Sequence, residues 1–432
     1  MEKIKYLILG AGPSGLTLAN RLKEQGETSF LLLEKEEEAG GLCRSVMVDG
    51  SPFDIGGGHF LDVKRPNVNE FLFRFMPKEE WVLYTRDSRI RVDGAEVGHP
   101  LEANIWQLDL PEQVAYLTSI AKAGCNLDRP MPKRFVEWIV WKLGQRIADH
   151  YMLPYNQKMF ADELNELGTY WLEKLPNVSF EETLLSCLTH RPYGTQPGHA
   201  YFYYPQKYGY GEVWIRMAKE LAPQVLYGME AADLDCEKRR VRTKTGEVFE
   251  AEHVITTVPW HSFTQITGMP RDIRGLLAEL RSSAIETRYV PKCLSTKAQW
   301  IYEPDPQIPW HRILVRHNFC PGSRGYWLET RKERVQMLED ISVKFPGNAE
   351  DNAGRNDILL NGSDHGDAGY HYLNEYAYPL NTIGKPEAMN RLLAFCRARQ
   401  IYGLGRWGEH CHYNSDVVVE LAMQMARRLL QS

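Results

Sequence analysis

The sequence predicts an α/β fold in which a parallel-sheet domain is interrupted by a helical domain and by an antiparallel β-sheet substrate domain. Three observations carry that expectation. Two short apolar runs, Tyr6-Leu7-Ile8-Leu9 and Phe30-Leu31-Leu32-Leu33, bracket a glycine-rich turn and a helical stretch. Residues 106–190 carry apolar positions at helical spacing, as in Phe135-Val136, Ile139-Val140, Leu143 and Ile147. Residues 261–385 are instead rich in aromatic and β-branched residues, with turn signals at Glu303-Pro304-Asp305-Pro306 and Pro321-Gly322. The expected boundaries are therefore 1–105, 191–260 and 386–432 for the parallel-sheet domain, 106–190 for the helical domain and 261–385 for the antiparallel sheet. Residues 346–369, dense in Gly, Asn and Asp, are expected to form a mobile loop.

Composition narrows the function. The chain has 432 residues, 43% hydrophobic and 25% charged, with 11 Trp, 22 Tyr and 15 Phe to build cores. Lys and Arg number 51 against 56 Asp and Glu, a net charge of −5 without a basic block, so no nucleic-acid partner is expected. No apolar run approaches the roughly 20 residues of a bilayer span. No signal peptide is expected ahead of the first strand, and the eight cysteines form no Cys-x-x-Cys pair. Reduced thiols, no metal site and a cytoplasmic location are the expectations. Whether the chain forms a homo-oligomer stays open.

The first turn explains itself residue by residue. Gly10 permits the tight turn after the first strand, Gly12 lets a pyrophosphate approach the backbone, and Gly15 lets the helix pack on the strand. Pro13 and Ser14 open the helix, whose N-terminus offers free N–H groups to phosphates. Glu34, nineteen residues after Gly15, can accept from ribose hydroxyls. The context of strand, G-x-G-x-x-G, helix and distal acid predicts a Rossmann-like dinucleotide site.

Lys35 follows Glu34, and Gly40-Gly41-Leu42-Cys43-Arg44-Ser45 follows in turn. This glycine pair resembles the motif of FAD oxidoreductases of the amine oxidase type, the GR2-type fold, in which the glycines pass under the phosphates and the Arg and Ser contact them; the resemblance implies cofactor contacts at Gly41, Leu42 and Arg44. From Gln400 the chain returns to a strand, a loop Gly403-Leu404-Gly405-Arg406-Trp407-Gly408, and Asn414-Ser415-Asp416 capping a helix with Val417, Leu421 and Met425 at four-residue spacing. Gly405, Arg406, Asn414, Ser415 and Asp416 are thus expected beside FAD. The helix N-terminus suits a reduced, anionic flavin edge.

With these residues in view, the chain resembles the UDP-galactopyranose mutases, particularly the eukaryotic type. Asp54-Ile55-Gly56-Gly57-Gly58-His59 is similar to a flavin-side loop ending in His; Gly57, Gly58 and His59 are expected near the ring. Arg91 is similar to a strand Arg, and His99-Pro100 through Asn104-Ile105 to an aromatic-Pro-x-x-Asn-Asn-Ile element. Leu153-Pro154-Tyr155-Asn156-Gln157-Lys158 resembles a Pro-Tyr-Asn-x-Lys motif, and Tyr203-Tyr204-Pro205 through Gly209-Tyr210-Gly211 an element over the flavin. Trp300-Ile301-Tyr302 and Trp310-His311-Arg312 resemble a strand pair ending in a phosphate Arg, and Tyr378-Pro379 completes the series.

The resemblance implies a flavin-dependent isomerase. Reduced flavin N5 attacks the anomeric carbon of a nucleotide sugar, and the sugar interconverts between pyranose and furanose with no net electron transfer. FAD must first be reduced, with NAD(P)H as the reductant. Catalytic roles fall on His59, Arg91, Arg312 and Tyr378, and His59 either orients its loop or takes part in proton traffic. Substrate contacts fall on Asn104, Tyr155, Asn156, Lys174, Arg312, Tyr378, His412 and Tyr413. Three positions depart from the pattern. Lys174 stands where the family has a phosphate Arg, unless that Arg is displaced; Phe319 stands for a Tyr, and His412 for a phosphate-binding Tyr. A redox flavoenzyme of the amine oxidase or protoporphyrinogen oxidase kind, and a non-catalytic flavin or nucleotide-sugar binder, are the competing classes.

Overall fold

The computed structural model describes residues 4–172, 175, 177–194, 200–320, 322–323, 325–341 and 370–431. The expected loop 346–369 lies outside them.

An eight-stranded sheet forms the first layer. Its centre is parallel: Ile4–Leu9 lies between Phe30–Leu33 and Val248–Thr256, with Val225–Leu226 and Ile401–Gly403 joining in parallel as well. The apolar runs form strands because both faces are covered; Tyr6, Leu7, Ile8 and Leu9 are each fully buried. The helix Pro13–Glu24 follows the turn at Gly10, whose φ is +101°. A β-carbon on Gly15 would meet the Gly10 carbonyl oxygen at 2.0 Å, so the helix sits this close to the strand only with glycine there. The helix Ser415–Gln431 packs beside it, and Tyr6 Oη donates to the Leu429 carbonyl at 3.1 Å.

The second sheet has seven strands in the order His371–Pro379, Ser282–Val290, Tyr326–Arg331, Trp310–Leu314, Trp300–Tyr302, Ser88–Val92, Ala95–Gly98. All neighbours are antiparallel except Trp300–Tyr302 beside Ser88–Val92. Two strands of segment 1–105 therefore complete this sheet. Conversely, Gln265–Thr267 leaves the 261–385 segment and pairs in parallel with Ala231–Asp235 of the first sheet.

Between the two sheets in sequence lies the helical insertion, with Leu110–Ala121, Phe135–Ile147, Leu153–Met159 and Phe180–Thr189. Its apolar stripe packs against Ile90, Val92, Val97 and Tyr302. The periodicity from Phe135 to Ile147 runs through a break: Gly144 has φ +79°, and a β-carbon there would meet the Ser119 carbonyl oxygen at 2.6 Å. The helix yields where two backbones approach.

Candidate functional site

A cleft of about 500 Å³ opens at the C-terminal ends of the parallel strands, where ligands enter such sheets. One wall is the first turn. The helix Pro13–Glu24 starts from Gly12 with no side-chain cap and no acidic residue in its first turn, so its N–H groups and positive dipole end face the cleft uncompensated. Gly41 closes on it; a β-carbon on Gly41 would stand 3.2 Å from Gly12 Cα. Glu34 accepts from the Ala11 amide at 2.7 Å and the Glu36 amide at 3.0 Å, and burial pushes its carboxyl up. Arg44 supplies a cation. Its Nη2 donates to Tyr372 Oη at 2.7 Å and Nη1 lies 3.3 Å from Glu36, while its buried Nε has no partner among the described residues.

The opposite wall is the edge strand of the second sheet. Tyr372, Leu373, Asn374, Glu375 and Tyr376 of this strand line the cleft, and a register shift in its pairing with Ser282–Val290 falls between Asn374 and Tyr378. Asn374 Nδ2 donates to the Ile55 carbonyl at 2.6 Å, and Arg406 Nη1 donates to the Ala377 carbonyl at 3.1 Å. The strand is thus stitched across the cleft.

The loop from Asp54 to His59 forms the inner end. Asp54 is fully buried and accepts from Tyr204 Oη at 2.8 Å, the Tyr210 amide at 3.2 Å and Arg316 Nη1 at 3.1 Å. Ser45 Oγ also bonds Asp54 and accepts from the Gly211 amide at 2.7 Å. Arg316, itself buried, lies over Trp327, Tyr204 and Phe319 at 4.1, 4.5 and 5.2 Å. A buried ion pair inside an aromatic cage thereby pins the loop that carries His59. Burial, then the charge of Arg406, lowers the His59 imidazole to about 4, so it is neutral at pH 7.

A second cluster lies beyond this loop. Arg312 and Glu329 are partners across an antiparallel pair in which a β-bulge between Trp310 and Arg312 sets two residues against one. Both His311 and Arg312 consequently reach the same carboxylate. Arg312 donates from Nε at 2.8 Å, its Nη2 stands 2.5 Å away, and His311 Nε2 lies 3.3 Å away. Glu329 Oε1 accepts from the Gly58 amide at 3.2 Å. Against burial, Arg312 and then His311 hold the Glu329 carboxyl down at about 2. Arg312 Nη2 also approaches Tyr378 Oη at 3.4 Å, and Tyr378 packs on His412 at 4.9 Å.

Comparison with known proteins places this architecture. The family model for flavin containing amine oxidoreductases matches residues 13–361. The chain belongs to that family. The fold is also that of a crystal structure of reduced UDP-galactopyranose mutase, with a TM-score of 0.86 at 24% identity over 100% of this chain and 94% of that one. A putative protoporphyrinogen oxidase from Exiguobacterium sp. 255-15 superposes with a TM-score of 0.68 at 15% identity, each chain covered in full. A redesigned putrescine oxidase gives 0.61 at 14% identity, 99% of each chain covered. Among curated proteins, an FAD-binding monooxygenase of Aspergillus terreus is 29% identical over 130 residues, 29% of this chain and 20% of that protein. The match thus spans about a fifth of that relative's length.

In this member of the family, the residues that line the cleft fit a flavin dinucleotide. A free helix N-terminus and Arg44 meet the phosphates' charge, and Glu34 keeps acceptor capacity for hydroxyls. Of the sequence candidates, Gly10, Gly12, Pro13, Ser14, Glu34, Lys35, Gly41, Leu42, Arg44, His59, Arg406, Tyr413, Asn414 and Ser415 line it. Gly405, with φ +74°, lies where a β-carbon would meet Ser14 Oγ, which joins the closing loop to the first helix. Asp416 turns away and pairs with Arg65 at 2.9 Å.

Gly57 and Gly58 are each crowded by side chains of the second sheet. A β-carbon on Gly57 would meet Glu329 Oε1 at 2.0 Å, and one on Gly58 would meet Leu314 and Trp300 at 2.5 and 2.7 Å. Asn104 and Asn156 spend their amides locally, on the Pro100 carbonyl at 2.9 Å and the Met152 carbonyl at 2.7 Å. Arg91 Nη1 faces buried Glu303 at 3.6 Å. Tyr155 packs edge-on to Tyr302 and His311 at 5.5 and 5.9 Å. Phe319 stacks on Trp300 at 5.2 Å in the cage around Arg316, so this departure falls in the core. Lys174 lies outside the described residues. Sequence reasoning missed Glu329, His311 and Arg316. Only the hairpin spacing of Arg312 and Glu329 hinted at their pairing, and the bulge that aligns them leaves no local signature. No helix among the described residues is long and apolar enough to cross a membrane.

Proposed function

We propose that this flavoenzyme interconverts the pyranose and furanose forms of a nucleoside-diphosphate sugar of the UDP-galactose type. The observation that carries the reading is the Arg312–Tyr378 pair, tied through Glu329 to the amide of Gly58 beside His59. A guanidinium and a phenol next to the flavin-side loop offer donors to an anion.

FAD, bound in the cleft and reduced, supplies an electron-rich nitrogen for attack at an anomeric carbon. The protein's part is positioning. The helix N-terminus at Gly12 and Arg44 hold the cofactor phosphates, while Glu34 accepts from the ribose. Arg312 and Tyr378 hold the diphosphate as it departs and keep it placed for return, a task for a rigid charged fork. His59, neutral at pH 7, orients its loop without adding charge. A nicotinamide nucleotide serves as reductant.

The test is one reduction with dithionite under nitrogen, followed by a panel of nucleotide sugars in large excess. Many turnovers per reduction, with product isomeric to substrate, are expected. Oxygen consumption with one oxidised product per electron pair would place the protein among the oxidases of its family.

A further inference from the structure

The Glu329 carboxylate joins two parts of the molecule that the sheet and the loop would otherwise hold separately. Its Oε2 takes the side-on edge of Arg312, Nε and Nη2. Its Oε1 takes the Gly58 amide and fills the space that a β-carbon of Gly57 would claim. The Glu329 side chain is 1% exposed, so water does not compete for either contact. The bulge that sets His311 and Arg312 against this one residue leaves the end-on edge of the guanidinium turned away from it. Arg312 Nη1 has no hydrogen-bond partner among the described residues, and the Arg312 side chain keeps 17% of its surface exposed.

We propose that Glu329 is a positioning residue that couples the anion-binding edge of Arg312 to the backbone of the Gly57–His59 loop. It fixes the guanidinium plane so that Nη1 is left free as a donor while Nη2 stays 3.4 Å from Tyr378 Oη. It also holds the loop at Gly58, so a change at either end is transmitted to the other. The alternative role for a carboxylate here is charge neutralisation alone, which would leave the loop independent of Arg312. The proposal rests on the reading of Arg312 as a diphosphate clamp for its kinetic consequence, and on geometry alone for the coupling.

Two variants of the FAD-loaded protein test it, Glu329→Gln and Arg312→Gln, each first without substrate. Coupling predicts that both shift the visible flavin bands of the ligand-free protein, because either change loosens the carboxylate from Gly58. Flavin bands identical to the parent in both variants overturn the proposal. Should Glu329→Gln fail to retain FAD, Arg312→Gln, which leaves the carboxylate in place, decides by the same spectrum. Assayed with uridine-diphosphate galactose after reduction, Glu329→Gln is expected to lower kcat by about tenfold to a hundredfold, as misplacement does, with KM little changed. A raised KM with kcat intact would mark a charge-balancing residue and overturn the positioning role. A parent protein that isomerises no nucleotide sugar sinks the mutase reading, while the spectral comparison still stands or falls by itself.

Discussion

Gly57 and Glu329 compete for one volume: a β-carbon on Gly57 would lie 2.0 Å from Glu329 Oε1. The two residues are remote in sequence, yet the loop takes its shape from a carboxylate on the neighbouring sheet. Gly57 also has φ +86°, which L side chains rarely adopt. Gly57→Ala is therefore expected to destabilise the protein by about 1–3 kcal/mol, from overpacking and backbone strain together. Urea unfolding measures this, and an unchanged midpoint would show that the loop relaxes freely.

Arg44→Ala should leave the fold intact and weaken FAD retention. The guanidinium lines the cleft together with Gly12 and Gly41, and its Nε has no partner among the described residues. Loss of a charge-assisted contact is worth about 1.5–3 kcal/mol, or roughly tenfold to a hundredfold in affinity. Titration of the apoprotein with FAD reads the change; equal affinity would remove Arg44 from the phosphate site.

Arg312→Ala is expected to lower kcat/KM for a nucleotide sugar by two to three orders of magnitude, about 3–4 kcal/mol. The variant should still carry FAD, since Arg312 does not line the dinucleotide cleft. Uridine diphosphate bound as tightly as by the parent would show that the guanidinium is not the clamp.

Asp54→Ala should cost about 3–5 kcal/mol by leaving Arg316 as an uncompensated buried charge. Tyr204 Oη and the Tyr210 amide lose their acceptor in the same change. Denaturant unfolding of the FAD-loaded protein measures the loss. A change near 0.5 kcal/mol, the size typical of surface sites, would contradict the role given to this pair.

Stability should fall as the pH drops from neutral, before the carboxylates titrate. Burial, then Arg86, lowers the His99 imidazole to about 3; burial, then Lys385, does the same to His410. The unfolded chain protonates both near 6.5, the folded chain only near 3, so the unfolded state binds more protons in between. Stability is then full above pH 6.5 and is lost as pH falls toward 3, by at most about 2 kcal/mol per imidazole at pH 5. Glu329, held at about 2, follows the same sign in a lower window, losing its contribution below the usual carboxylate range. His99 Nδ1 has no partner among the described residues, and the ring packs on Tyr302 at 5.1 Å, so His99→Phe should flatten the dependence between pH 7 and 5. Parallel melting curves for variant and parent across that range would refute it.

The sequence by itself determined the parallel-sheet turn, because its requirements are local. Gly10, Gly12, Gly15 and Glu34 lie within one strand–helix–strand unit, where residue type dictates backbone conformation and the helix end dictates charge. The flavin family was legible for the same reason, since the glycine pair at Gly40 and Gly41 follows at fixed chain distance. Which residues of the second cluster meet was decided only by tertiary structure. Arg312 reaches Glu329 because a bulge shifts the register of two strands. Arg316 meets Asp54 across 262 residues of chain. Asn104 and Asn156, polar and well placed in their motifs, bond instead to carbonyls of their own segments. Strand register and the pairing of buried charges depend on how whole sheets close on one another, so local sequence shows neither the bulge at Arg312 nor a contact across 262 residues.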